Sequence, residues 1–312
     1  MKKNIHKFQF NGWIFLDKPI GISSNKVLQK IRKLFKNCKA GYIGTLDPLA
    51  SGFLPIALGK ATKTIKYIEC SDKEYLFTIQ WGKKTTTGDV EGELVSSSSF
   101  IPSKKSIEIN LKKFIGKLEQ TPPKYSAIKI GGIRSYELAR KNKDFIIAKR
   151  RVHIKEFELI KIIEKTRAIF KVSCSSGTYI RTLAEDFAET LGTFGHLTSL
   201  RRIGFGKLNK KLISLDSLIT LMHIDKQLKQ IKPIDIIFQN VRKIKLIDKD
   251  AQFLLNGKSI ILDRCLPNRE KSLRLDSRFA LACFKNYLYV LGNIRKGSFF
   301  PKTVMNLNNS GR

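Results

Sequence analysis

Residues 73–82, KEYLFTIQWG, set Tyr75, Phe77, Ile79 and Trp81 on one face of an extended chain. That period-two pattern is a strand with one buried face. Four such side chains in a row require a sheet with a second layer packed against it. Helices that could supply the layer are legible on both sides. In SSNKVLQKIRKLFK (residues 23–36), Val27, Ile31, Leu34 and Phe35 follow serine N-cap candidates at helical spacing, and the other face is lysine and arginine. TYIRTLAEDFAETLG (178–192) is a second amphipathic helix, with Ile180, Leu183, Phe187 and Leu191 inside. GWIFLDKP reads as a short strand ending in a turn at Lys18-Pro19, and VHIKEFELIKII with RAIFKVSCSS as a hairpin around Lys165. Strands and helices alternate without a regular βαβ rhythm. The expected class is α+β: a large mixed β-sheet flanked by helices.

From about residue 241 the texture changes. VRKIKLIDKDAQFLLNG, FALACF and YLYVLG predict a small β-rich domain with one helix. A chain of 312 residues is long enough for two domains, and we expect them at 1–240 and 241–312. No repeat of 20 to 50 residues is present, and Ser96–Ser99 reads as a loop.

Lys and Arg number 59 against 26 Asp and Glu, a net charge of +33. Part of the lysine belongs with an Ile- and Asn-rich composition. A charge of that size still opposes compaction unless a polyanion neutralises it, so nucleic acid or an anionic membrane is the natural partner, and nucleic acid the favoured one. Cys38, Cys70, Cys174, Cys265 and Cys283 are odd in number and form no C-x-x-C pair, which argues against a disulfide framework and a zinc site. His6, His153, His196 and His223 are scattered, and no metal is expected. The basic N-terminus lacks the apolar core of a secretory signal, and no run is long enough to span a membrane. The expected compartment is the cytoplasm.

Between Asp17 and Glu69 the chain holds ten lysines and arginines but one acid, Asp47, in GYIGTLDPLASG. Asp-Pro between glycines is ordinarily a turn. Leu46, Leu49, Phe53 and Leu54 nevertheless surround it, and a buried carboxylate needs a cation or several donors. Arg181, in SSGTYIRTLAED, is a candidate cation near a strand-to-helix turn; it could equally form an exposed i, i+4 pair with Glu185.

Residues 41–52, GYIGTLDPLASG, resemble the signature of the TruB family of tRNA pseudouridine synthases. Four further segments resemble that family in order: WIFLDKPIGISSNKVL, KEYLFTIQWGKKTTTGDVEG, EQTPPKYSAIKIGGIRSYELAR and SSGTYIRTLAEDFAETLGTFGHLTSLRR. The resemblance implies the pseudouridine synthase fold, an RNA-gripping insertion at about 119–150 and a C-terminal PUA-like domain. It implies conversion of the T-loop uridine of tRNA without a cofactor, by a monomer that binds the T-arm. Asp47 matches the family's nucleophile, Arg181 its ionic partner, and Tyr75 the tyrosine that stacks on the uracil and helps handle the proton at C5. Tyr179 and Leu200 match positions touching the flipped nucleotide, and Lys18 with Pro19 the motif supporting the active-site loop. Most bacterial members carry His-Thr where this chain has Tyr42-Ile43, so Tyr42 stands where that histidine meets the T-loop. Lys30, Arg32 and Lys33 on the first helix, with Arg150 and Arg151, are phosphate-contact candidates. The alternative is a non-catalytic RNA-binding or tRNA-folding protein, with Asp47 as a turn acid.

Overall fold

The computed structural model describes residues 10–307, apart from 69, 142, 209–210, 222, 263–278 and 286. His6 and Cys265 lie outside the described residues. The chain runs β1 (Gly12–Lys18), α1 (Ser24–Leu34), β2 (Ala40–Tyr42), β3 (Ala50–Leu58), a 3-10 segment (Gly59–Tyr67) and β4 (Lys73–Trp81). A small hairpin, β5 (Lys83–Thr85) and β6 (Leu94–Ser97), precedes α2 (Lys104–Leu111) and β7 (Gly116–Gln120). A second hairpin, β8 (Lys129–Ile130) and β9 (Ile133–Arg134), leads into α3 (Ser135–Arg140). Then come β10 (Arg150–Glu164), β11 (Arg167–Cys174), α4 (Ile180–Thr190), β12 (Gly195–Phe205), β13 (Ile213–Ser214), α5 (Leu215–Ile219) and α6 (Ile224–Leu228).

Among the described residues nine strands form one mixed sheet in the order β13-β1-β3-β12-β4-β11-β10-β7, with β2 also on β3. Its pairs are antiparallel except β1 with β13 and β3 with β12. Tyr75, Phe77, Ile79 and Trp81 all point into the core, beneath α4. There Phe187 meets Phe157 at 5.1 Å and Phe170 at 5.7 Å between ring centroids. Each such buried ring contributes roughly 1.5–3 kcal/mol. On the far side α1, capped by Ser23, buries Val27 and Ile31, and Phe35 follows just past its end.

Strand β3 escaped the sequence reading. All nine of its residues are buried, so the alternation that marks a half-exposed strand is missing. Its outer edge is divided: residues 50–52 pair with β12 and 56–58 with β2. Pro55 occupies the interval, where no ladder bond is required of its nitrogen. Ile43 N instead donates to Pro55 O at 3.1 Å, and the chain from β2 leaves the sheet there.

Residues beyond 241 build β14 (Arg242–Lys245), α7 (Asp248–Leu255), β15 (Ile260–Ile261), β16 (Ala280–Phe284), β17 (Leu288–Arg295) and β18 (Ser298–Asn306). The five strands make a separate sheet, with α7 as the helix. It docks on the first sheet through a shared core containing Trp13, Phe53, Leu281, Tyr289 and Met305. Polar ties from the 3-10 segment, Lys60 Nζ to Asn306 O at 2.6 Å and Tyr67 Oη to Thr303 Oγ1 at 2.7 Å, add register. No described helix is long and apolar enough to cross a membrane.

Candidate active site

The loop from Ile43 to Leu49 fills the interval between β2 and β12 and carries Asp47. Several contacts hold it from behind. Ser24 Oγ, at the start of α1, donates to Leu46 O and accepts from Leu46 N, both at 2.9 Å. Lys18 Nζ, fully buried, donates to Pro19 O at 2.8 Å, Ile22 O at 2.5 Å and Pro48 O at 3.4 Å. Burial pushes the Lys18 ammonium down to about 8, with Asp47 and Glu91 opposing the shift. Ala50 N donates to Asp47 O at 3.1 Å, the local turn expected of Asp-Pro. Leu46 and Leu49 are buried while the Asp47 side chain stays 38% exposed, so the apolar neighbours anchor the loop and the carboxylate faces out.

Arg181, at the start of α4, is 4% exposed. Its Nη2 lies 3.0 Å from Asp47 Oδ2 and donates to Tyr125 O at 2.8 Å, while Nη1 donates to Thr87 O at 2.8 Å. Its Nε is 3.7 Å from Oδ2 of Asp89, itself 2% exposed. One guanidinium therefore joins the Asp47 loop, the Thr-rich turn after β5 and the segment after β7. Glu185 takes no part in this network: burial pushes its carboxyl up to about 7, and it packs against Gly88. The exposed i, i+4 pairing is not formed.

Above Asp47 opens a pocket of about 320 Å³, lined by Asp47, Tyr75, Tyr179, Leu200, Arg150 and Arg202 among others. Tyr75 of β4 is buried at the pocket wall, and burial raises its hydroxyl above the usual phenol range while Arg202 pulls the other way. Arg202 of β12 sits opposite Tyr75 in the ladder. The Arg202 Nε donates to Phe53 O at 2.7 Å, and Nη2 to Gly44 O at 2.8 Å. The guanidinium thus occupies the strand-free interval along β3. Gly44 has φ +68°, and a Cβ there would stand 2.7 Å from Arg202 Nη1. Gly52, φ +99°, would place a Cβ 2.2 Å from Arg202 O. Both positions need glycine.

The remaining expected residues divide into two groups. Tyr179 and Leu200 line the pocket with Asp47, and the Arg150 guanidinium stacks 4.3 Å above the Tyr179 ring. Tyr42 is half-buried on β2 against the α1 core and does not line the pocket. Lys30 and Lys33 are exposed on α1, Arg32 is half-buried beside Gln29, and Arg151 is exposed on β10. The segment expected as an insertion at 119–150 is tied into the sheet at both ends, since Arg150 pairs with Gln120 and Arg151 with Glu119. Its side-chain tether is Gln120, whose Oε1 accepts from Tyr179 N at 2.7 Å and whose Nε2 donates to Tyr179 O at 3.0 Å. Among the described residues no group of three His, Cys, Asp or Glu could hold a metal ion.

Asp89 and Arg202 were not singled out from the sequence. Asp89 lies in TTTGD, where Thr87 Oγ1 donates to its Oδ1 at 2.5 Å and Glu91 N at 3.0 Å, so locally it is an ordinary turn acid. A signal for Arg202 was available in the run Leu200-Arg201-Arg202: in a strand one arginine of such a pair must face inward. Arg201 is the outward one, paired bidentately with Asp17 at 2.7 and 3.0 Å.

Residues 32–180 match the TruB family pseudouridylate synthase (N terminal domain), and residues 181–239 match the tRNA pseudouridylate synthase B C-terminal domain. The chain is 37% identical over 302 residues to tRNA pseudouridine synthase B of Caulobacter sp. (strain K31), covering 95% of this chain and 96% of that protein. It is 39% identical over 302 residues to the protein of the same name from Sinorhizobium medicae (strain WSM419), covering 94% and 95%. Among solved structures, an H/ACA ribonucleoprotein bound to a substrate RNA containing 2'-deoxyuridine superposes with a TM-score of 0.68 at 21% identity, over 94% of this chain and 84% of that one. At that identity the likeness speaks for the fold, a pseudouridine synthase sheet with a second small sheet domain. The family match, and relatives aligned over nearly their whole length, lead to one conclusion: this chain belongs to the TruB family of pseudouridylate synthases.

Proposed function

We propose that the chain isomerises the T-loop uridine of tRNA to pseudouridine, with Asp47 as the nucleophile. The observation that carries this reading is the Asp47–Arg181 pair at 3.0 Å, set at the mouth of a pocket walled by Tyr75. The Arg181 guanidinium, buried and itself held by the Thr87 and Tyr125 carbonyls, fixes the Asp47 side chain at that mouth. The uridine leaves its stack at a cost of a few kcal/mol, offset by stacking on Tyr75 and contact with Tyr179 and Leu200. The N1–C1′ bond breaks, the uracil turns, and C5 joins C1′. The C5 hydrogen leaves as a proton and N1 gains one, so no redox cofactor is needed.

Lys18 supports the loop, and Lys30, Arg32, Lys33, Arg150 and Arg151 contact phosphates of the T-arm. Tyr42 acts from β2, where the family histidine would stand, on RNA position rather than on the bond changes. Residues from 241 onward form a PUA-like RNA-binding domain, and the enzyme works as a monomer in the cytoplasm. The test uses unmodified tRNA transcript tritiated at uridine C5. Wild type should release tritium, and Asp47→Asn should bind the transcript yet release none. Unchanged release by the variant would refute the assignment.

A further inference from the structure

Three arginines line the pocket that holds Asp47, and they are satisfied very differently. Arg181 pairs with Asp47 and donates to two carbonyls, and Arg202 donates to the carbonyls of Phe53, Ile43 and Gly44. Arg150, half-buried at the start of β10, does nothing of the kind. Its Nε is shut off from solvent and bonds nothing, and among the described residues its two terminal amines meet neither a hydrogen-bond acceptor nor a carboxylate. A guanidinium carries five N–H donors, so one is buried unsatisfied here and the other four are left for solvent or a ligand. A buried donor without a partner is costly, and where one persists it calls for a reason.

The Arg150 guanidinium is nevertheless fixed in place. It lies over the Tyr179 ring, 4.3 Å from the centroid, and beside Gly177, where an added Cβ would stand 3.5 Å from its Cζ and Nη1. The main chain ties the same two residues together: Arg150 pairs with Gln120, and the Gln120 amide grips both Tyr179 N and Tyr179 O. The charge is therefore positioned by a ring and a strand while its donors stay unused. Such a fork matches an acceptor with two oxygens on one atom, as in a phosphate. Uracil offers it no match, because an N–H separates the two carbonyl groups of the ring. Asp47 is the one carboxylate among the described lining residues and is paired with Arg181, so no acid of the pocket competes for Arg150. Extrusion turns a nucleotide about its backbone, which carries the flanking phosphates toward the pocket along with the base. Lys30, Arg32, Lys33 and Arg151 do not line that pocket and meet the RNA outside it.

We infer that Arg150 is a binding residue for the flipped nucleotide itself, clamping one of the two phosphates that flank the target uridine and so favouring the extruded state over the stacked one. This rests on the proposed isomerisation, and the test separates the two. A T-arm stem-loop RNA is made in three forms: fully charged, with a neutral methylphosphonate on the 5′ side of the target uridine, and with one on its 3′ side. All three carry 2′-deoxy sugars at the target and at the nucleotide before it, which keeps the neutral linkages intact. Dissociation constants are measured in the Asp47→Asn background, so that no turnover intervenes. Arg150→Met should weaken binding of the charged form about 30-fold, and of one neutral form by less than about threefold. An equal factor on all three forms, or no loss on the charged one, would overturn the inference and leave the isomerisation standing. Arg151→Met should weaken all three alike, and the same selective loss there would overturn the assignment to Arg150. No tritium release by wild type from unmodified transcript would instead overturn the isomerisation. Should Arg150→Met not fold, Arg150→Lys decides, because it keeps the charge and loses the planar fork. It should weaken the charged form about fivefold and spare the same neutral form, and an equal loss on both refutes the clamp.

Discussion

Asp89→Asn removes a charge from Arg181 while keeping the volume and one oxygen for Thr87 and the Glu91 amide. At 3.7 Å and an effective dielectric near 20, the Asp89–Arg181 attraction is about 4.5 kcal/mol. Arg181 keeps Asp47 and two carbonyls, so about half of that is lost, and the variant should unfold with roughly 2 kcal/mol less stability in urea. The kinetic effect follows from geometry. The guanidinium is now drawn from two sides, with Nε toward Asp89 and Nη2 toward Asp47. Released from Asp89, it can turn toward Asp47 and hold the proposed nucleophile where it no longer faces the base. A misplacement worth roughly 2 kcal/mol corresponds to about 30-fold in rate. Single-turnover tritium release should fall by that order while tRNA affinity stays within about threefold. A variant that loses the stability but keeps the wild-type rate would show that Asp89 serves only the turn, and the two-sided account of Arg181 would be wrong.

The buried ammonium of Lys18 gives a pH test. Its folded value of about 8 lies below the ordinary 10.5, so the fold penalises the charged form fully below pH 8 and is relieved as pH rises toward 10.5. Wild type should therefore gain stability relative to Lys18→Met across that window, by at most about 3 kcal/mol in urea unfolding, and a loss would contradict the burial account. Gly52→Ala forces a side chain into φ +99° and a Cβ to 2.2 Å from Arg202 O, and should cost more than about 3 kcal/mol in thermal unfolding. A melting temperature within a few degrees of wild type would remove the close approach of β12 to β3 from the argument. Lys30→Gln with Lys33→Gln should flatten the plot of log affinity against log salt by about 1.5 without changing the rate at saturating tRNA. An unchanged slope would take α1 out of the RNA contact.

The elements legible by their period were those with one wet face, whereas GWIFLDKP, buried on both faces, was legible through the Lys18-Pro19 turn that ends it. The alternation in β4, the apolar stripe of α4 and the β10–β11 hairpin all carry a period because solvent lies on one side of them. β3 carries none, since Phe53, Leu54, Ile56 and Ala57 are buried on both faces, and Pro55 fits only through the strand-free interval beside it. The site divides in the same way. Asp47, Tyr75 and Arg181 sit in segments that resemble the family's, and the geometry brings them to one pocket. Asp89 and Arg202 depend on partners far along the chain: Asp89 meets Arg181, and Arg202 meets Phe53 and Gly44. No local pattern announces such pairings.

Two of the four groups that grip Arg181 are main-chain carbonyls, of Thr87 and Tyr125. Replacing either side chain leaves its carbonyl in place, so an alanine scan across those segments would pass over half of what orients Arg181. Deleting a residue would not pass unnoticed. One position lost between Gln120 and Tyr125 carries the carbonyl away from the guanidinium. Length there is under tighter constraint than composition, and a library that varies side chains but holds the count should retain activity where one that varies the count does not.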